Sequence, residues 1–247
     1  MNQILTKPLK KDDMEVNVNY NYQHFNAKEE TKAKFDGPNI GDTAPDFTAY
    51  TITGEKVQLS DFKGKTVVIE AGSFTCPSYI GYIDPMNKLS LEHPDIVFLV
   101  LYVREAHPGS KIGPHQSLDE KIELAKKLKT NDNENRTILI DDLNGSVHSS
   151  QILLPNYLYI VDKDGVIAYK SEWNNPKTVE KVLNHLQDPK SEKLPRPKAR
   201  MPSPFTVFRV MKRGGWNAIF DMMPGMPRLM HSRYKLKKKW KKDSRYQ

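Results

Sequence analysis

The feature that most constrains this chain is an abrupt change of pattern across residues 66–77. Thr66-Val67-Val68-Ile69-Glu70-Ala71 is β-branched and apolar, as a strand buried in a parallel sheet is. Gly72-Ser73-Phe74-Thr75-Cys76-Pro77 follows, and Pro77 suits the first turn of a helix, where its missing N–H costs nothing. Strand therefore gives way to helix with a cysteine at the handover. A thiol so placed faces unpaired backbone N–H groups and the positive end of a helix dipole. The position thus predicts a thiol pKa below that of a free cysteine. The competing expectation is a buried, inert thiol.

Cys76 is the only cysteine in 247 residues. That excludes an intramolecular disulfide and points to a reducing, cytoplasmic setting. Residues 1–15 are polar with no apolar run behind them, so neither a signal peptide nor an anchor is expected there. Cys76 with scattered histidines is not a zinc set, and no metal is expected. A mean hydropathy of −0.65 is low for a chain that is globular throughout, so polar ends should flank a compact middle. The net charge of +8 is unevenly spread. Residues 191–247 hold 16 Lys and Arg against 3 Asp and Glu, or +13, which leaves the other 190 residues at −5. The basicity belongs to the C-terminal end.

The middle of the chain alternates between strand and helix patterns. Phe47–Thr51 and Val57–Leu59 around Thr53-Gly54-Glu55 predict a hairpin ahead of the strand at 66–71. After Cys76, Ile80, Ile83, Met86, Leu89 and Leu91 recur at near-helical spacing up to His93-Pro94. Ile96–Leu101 is a second β-rich run, followed by a long loop carrying Pro108, Gly109, Gly113 and Pro114. Ser117 with Glu120 forms a capping box for a helix whose apolar face is Ile122, Leu124, Ala125 and Leu128. A strand at 137–140, a short helix at 145–151, a hairpin at 156–169 and a helix opened by Pro176 complete the set. This order predicts an α/β fold, a mixed sheet with helices on both faces. In such sheets functional groups gather at strand carboxyl ends, where Cys76 and the loop after Val103 both fall.

Three segments follow: residues 1–38 as an extended arm carrying Tyr20, Tyr22, Phe25 and Phe35, residues 39–188 as the folded domain, and residues 189–247 as a Pro-rich linker and basic extension. Phe205, Val207, Phe208, Val210 and Met211 make one apolar cluster in the extension; Trp216, Ile219, Phe220, Met222 and Met223 make another. Nine Lys and Arg lie between Arg228 and Arg245. A solvated end is the default expectation for such a run; an anionic membrane or a nucleic acid is the sharper one.

Several motifs resemble the thioredoxin-like fold in its redoxin branch. Gly41-Asp42-Thr43-Ala44-Pro45-Asp46-Phe47 and Leu59-Ser60-Asp61-Phe62-Lys63-Gly64-Lys65 are similar to the redoxin hairpin and the loop after it. Leu154-Pro155 resembles the cis-proline that faces the redox centre there. Within that branch, Gly72–Pro77 resembles the Gly-Ser-x-Thr-Sec-Pro centre of the iodothyronine deiodinases, with cysteine at the selenocysteine position. Tyr102-Val103-Arg104-Glu105-Ala106-His107-Pro108 and His115-Gln116-Ser117-Leu118-Asp119-Glu120 resemble two further segments of that family.

The resemblance implies a thiolate at Cys76 that attacks a halogen or another electrophilic atom. His107 would supply the proton to the departing carbanion, with Glu105 holding the imidazole. Ser73, Thr75, Tyr102, His115 and Pro155 are the implied supporting or substrate-binding residues, Ser73 and Thr75 as hydrogen-bond donors to thiolate or substrate. Tyr79 occupies the second position of a Cys-x-x-Cys pair, so an outside thiol such as glutathione or thioredoxin must resolve the modified sulfur, and no bound cofactor is implied. The expected partners are thus a small electrophilic or halogenated substrate and a thiol donor, with a homodimer left open. Two alternatives stand beside this one. A one-cysteine thiol peroxidase would turn the same sulfur on peroxide, and a redoxin-fold module would bind a partner without catalysis. The segments in which the family recognises its hormone are changed here, notably Pro155-Asn156-Tyr157-Leu158-Tyr159 and Lys170–Asn174.

Overall fold

A computed structural model describes residues 20–31, 37–151, 154–188 and 193–246. Phe35 and the start of the expected N-terminal arm lie outside them. A seven-stranded sheet forms the centre, built from β1 (Thr48–Thr51), β2 (Lys56–Gln58), β3 (Val67–Gly72), β4 (Val97–Tyr102), β5 (Thr137–Ile140), β6 (Leu158–Val161) and β7 (Ile167–Ser171). Their spatial order is β2-β1-β5-β4-β3-β6-β7. The inner strands β3, β4 and β5 are parallel, and each outer pairing is antiparallel. The expected hairpin at 47–59 is the β1–β2 pair, and β1 fastens it to the edge of β5.

Parallel strands covered on both faces need apolar side chains on both sides, and every residue of β3 is buried. Val67, Ile69 and Ala71 pack with Leu99, Leu101 and Leu139 on one face. Val68 joins Ile160, Tyr169, Val179 and Val182 on the other. Glu70 is the exception within this run. Its carboxylate meets Arg136 Nη1 at 2.6 Å, and Arg136 Nη2 meets Glu134 Oε2 at 2.6 Å, so the buried charges are paired.

The helix after Cys76 is two helices, α2 (Pro77–Ile80) and α3 (Ile83–Glu92), following a short α1 (Ala27–Glu30). Pro85 explains the break. A proline lacks the donor that a continuous helix requires, so it must fall in a first turn, and here that turn opens α3. Ser117 caps α4 (Leu118–Asp132) as expected, its side chain accepting from Glu120 N. The helices α5 (Ser146–Gln151) and α6 (Pro176–Gln187) also take their expected places.

The C-terminal end is ordered as helices: α7 (Pro204–Gly214), α8 (Trp216–Met222) and α9 (Met226–Lys242). Trp240 and Tyr246 are buried in the cluster that holds Val68 and Tyr169, so apolar side chains tie this basic segment to the sheet. No helix among the described residues is long and apolar enough to cross a membrane.

Candidate active site

Cys76 sits at the N-cap of α2, immediately after the carboxyl end of β3. The parallel register of β3 on β4 sets Gly72 opposite Tyr102, which brings the 103–108 loop over the cysteine loop. On the other side of β3, Asn156 N donates to Ala71 O (2.7 Å) and Ala71 N to Tyr157 O (2.9 Å). These bonds carry Pro155 and Asn156 to the same end of the sheet.

Three side chains staple the two loops together. Ser73 Oγ accepts from Ala106 N (3.1 Å), and Thr75 Oγ1 accepts from His107 N (3.1 Å). Thr75 also donates to Glu105 Oε2 from its backbone N (2.8 Å) and its hydroxyl (2.5 Å). The Tyr102 hydroxyl donates to the other Glu105 oxygen. Ser73, Thr75 and Tyr102 are fully buried, and their oxygens are spent on the loops, not turned to thiolate or substrate as the resemblance implies.

Glu105 does not hold His107. Its partners are Thr75 and Tyr102, and the imidazole beside it is that of His115, with Nε2 3.6 Å from Oε1. Burial raises the Glu105 pKa, while the Thr75 and Tyr102 hydrogen bonds pull it back down. Burial drives His115 the other way, to about 3, with the Lys121 charge adding to the effect. His115 packs against the Tyr102 ring, 5.8 Å between centroids, behind the loop.

Cys76 and His107 line one cavity of about 140 Å³. Pro155 lines it too, through a trans peptide, since no cis bond occurs among the described residues. The thiol is more basic than its position predicts. Burial pushes Cys76 up to about 12, and the Glu70 and Glu105 carboxylates add to the rise. The N–H groups of Tyr79 and Ser78 oppose this at the sulfur, but α2 is a single turn and its dipole is correspondingly small. His107 is lowered to about 4, first by burial and then by Arg233 and Arg104, and its Nδ1 is buried without a hydrogen-bond partner. At neutral pH the pair is therefore a thiol and a neutral imidazole.

Both ends of the chain complete the cavity. Phe25 lines it from the N-terminal arm, its ring 4.6 Å from that of His107. Arg233, Leu229 and Leu236 line it from α9, and Trp173 lies under the Arg233 guanidinium at 4.5 Å. The α7 helix braces the site from outside: Arg213 Nη1 donates to Phe74 O (3.0 Å) and pairs with Asp132. Gly214 comes so near the loop that a Cβ there would lie 2.6 Å from His107 O. Nothing in the local pattern around Cys76 signals Phe25, Asn156, Trp173 or Arg233.

The model of the iodothyronine deiodinase family matches residues 4–186. The chain belongs to the iodothyronine deiodinase family. It is 27% identical over 116 residues to the thyroxine 5-deiodinase of Ovis aries, covering 43% of this chain and 39% of that protein. With the thyroxine 5-deiodinase of Sparus aurata it shares 25% identity over 143 residues, covering 52% of this chain and 53% of that one. The chain thus spans from two-fifths to about half the length of these curated relatives. An uncharacterized conserved protein from Geobacillus kaustophilus superposes with a TM-score of 0.51 at 19% identity, over 63% of this chain and 87% of that one. The fold is thioredoxin-like, an α/β mixed sheet flanked by helices. This deiodinase-family match ends before α7, so the helices that brace and wall the cavity lie beyond it.

Proposed function

We propose that this chain is a thiol-dependent oxidoreductase that reductively dehalogenates a small aryl halide in a reducing, cytoplasmic setting. The observation that carries the reading is the opening of Cys76 onto the same cavity as His107, whose Nδ1 has no partner. Family membership supports the redox class.

The protonation states define the order of events. The sulfur attacks the halogen of R–X as its proton leaves, and the neutral His107, too weak a base to hold that proton, relays it in the same event. The S–X bond forms, the C–X bond breaks, and the electron pair left on carbon takes that proton from His107. The products are R–H and a sulfenyl halide at Cys76. One external thiol then displaces halide as HX to give a mixed disulfide. A second releases the external disulfide and restores the Cys76 thiol. Glutathione or thioredoxin can supply both equivalents. An enclosed cavity of about 150 Å³ takes up one benzene ring, and the half-open cleft over Cys76 has about that volume, so it has room to seat one ring against the sulfur.

The test measures iodide release from 4-iodophenol and loss of hydrogen peroxide, each with excess dithiothreitol, for the natural chain and for Cys76→Ser. Iodide release lost in Cys76→Ser is the expected result. Peroxide consumption without iodide release would assign a thiol peroxidase, and neither activity would leave a binding module.

A further inference from the structure

Two polar groups that the proposed chemistry does not use, one buried and one half-buried, line the cavity over Cys76. Asn156 is 3% exposed, and neither its Nδ2 nor its Oδ1 has a hydrogen-bond partner. Its backbone is left-handed at φ 77°, a conformation asparagine tolerates, and Asn174 N holds it there by donating to Asn156 O (2.9 Å). Arg233 is the one Lys or Arg lining the cavity; its Nη1 donates to Met201 Sδ (2.5 Å), and no carboxylate pairs with it among the described residues, so Nη2 and Nε remain for an anion. The one acid in the lining, Glu172, is taken up by Lys239 Nζ and Trp240 Nε1, each at 3.2 Å.

We infer that Asn156 and Arg233 form a subsite for the anionic group of a single-ring aromatic compound. The inference deepens the reading above and rests on it only in making that compound the substrate. A guanidinium presents paired donors to two anion oxygens, and a buried amide left unpartnered gains most from a ligand that completes it. Trp173, Leu229 and Phe25 supply apolar walls for a ring, and the volume admits about one. The anion would lie toward α9 and the ring toward Cys76 and His107. Arg233 and Leu229, past the end of the family match, therefore share in choosing the substrate with Asn156 inside it.

The probes are benzoate and its neutral counterpart benzyl alcohol, titrated calorimetrically into the full chain. Benzoate should bind at least about tenfold more tightly, and it should slow Cys76 alkylation where benzyl alcohol does not. Arg233→Met keeps the stem over Trp173 and should lose about tenfold in benzoate affinity, with partial rescue by Arg233→Lys. Asn156→Gly keeps the left-handed backbone and should lose several-fold. Equal affinity for the two probes overturns the subsite; benzoate affinity unchanged by one substitution overturns that residue's part in it. Benzoate carries no halogen, so the outcome stands apart from turnover: 4-iodobenzoate that binds without releasing iodide counts against the reaction alone.

A separate surface points to a second partner. Phe205, Phe208, Trp216, Phe220 and Met223 are each more than half exposed. Phe205 and Phe208 share one face of α7, and Trp216, Phe220 and Met223 recur at i, i+4 and i+7 across α8 and the turn after it. The Phe208 and Trp216 rings, 6.4 Å apart, join the two faces. Exposed Lys212 lies beside them with Arg209, which also reaches Asp132 (3.2 Å); α7 and α9 contain no acid, and Asp221 of α8 is hydrogen-bonded to His24. We propose that this face rests on an anionic lipid bilayer, rings in the headgroup region and cations on the phosphates. In flotation with phosphatidylcholine vesicles, the full chain should bind about tenfold better when phosphatidylserine is included, and Phe205→Ser/Phe220→Ser should lose about tenfold. Binding unaltered by that double substitution, capture by duplex DNA in preference to vesicles, or self-association that buries the face would each overturn it.

Discussion

The ring of Tyr79 lies across Gly72: a Cβ placed at residue 72 would come within 2.7 Å of Tyr79 Cζ. Tyr79 stands at the second position of a Cys-x-x-Cys pair, and its hydroxyl is fixed by a bond to Glu134 Oε2 (2.7 Å). A ring held at both ends cannot swing aside. Gly72→Ala should therefore destabilise the fold by about 1–3 kcal/mol, the usual range for overpacking. In a Tyr79→Leu background the same substitution should cost less. Urea unfolding of the four chains checks this, and an additive result would remove the steric explanation.

Alkylation by iodoacetamide reads the state of Cys76 directly. Burial pushes the thiol up to about 12, so the rate at pH 7.5 should fall below that of a free thiol and keep rising past pH 9. A plateau near pH 7 would mean that backbone N–H groups outweigh desolvation at this sulfur. Mass spectrometric time courses distinguish the two outcomes.

The contrast shows where sequence pattern suffices. Strands β3 to β5 were legible because β-branched runs flanked by turn residues have few other uses, and Ser117 with Glu120 marked the start of α4 unambiguously. Cys76 and the loop after Val103 could be placed together because β-strand carboxyl ends collect functional groups, and the family resemblance singled out His107 within that loop. Their environments could not be read, since desolvation depends on what covers a group. Here the covers are Phe25 and the α9 side chains, far away along the chain. Glu105 illustrates the same point: two residues from His107 in sequence, it faces Thr75 and Tyr102. The Glu70–Arg136–Glu134 cluster was hidden because a charge inside an apolar run carries no sign of its partner.

Acid should weaken the fold through the two buried imidazoles. Folding lowers His107 to about 4 and His115 to about 3, against about 6.5 in the unfolded chain. Between these values the unfolded state binds more protons, so the stabilisation is complete above about pH 6.5 and is lost as the pH falls toward 4. Each imidazole contributes a slope of at most about 1.4 kcal/mol per pH unit. His107→Gln/His115→Gln should lose less stability than the natural chain between pH 7 and pH 5. Equal losses in chemical denaturation would place the acid sensitivity elsewhere.

Thr75 should matter more to turnover than Ser73, although both staple the same loops. Ser73 accepts one bond, from Ala106 N, and its loss leaves that N–H unpaired. Thr75 Oγ1 accepts from His107 N and donates to Glu105, so Thr75→Val frees the backbone of the histidine and strips a partner from a buried carboxyl. A lost bond of this kind costs about 1–3 kcal/mol. Both Ser73→Ala and Thr75→Val should lower the unfolding midpoint, but Thr75→Val alone should also reduce the rate of iodide release from 4-iodophenol, by about tenfold. Thr75→Ser keeps the hydroxyl and should recover most of that rate. If Thr75→Ser is as slow as Thr75→Val, the methyl group's packing and not the hydroxyl positions His107.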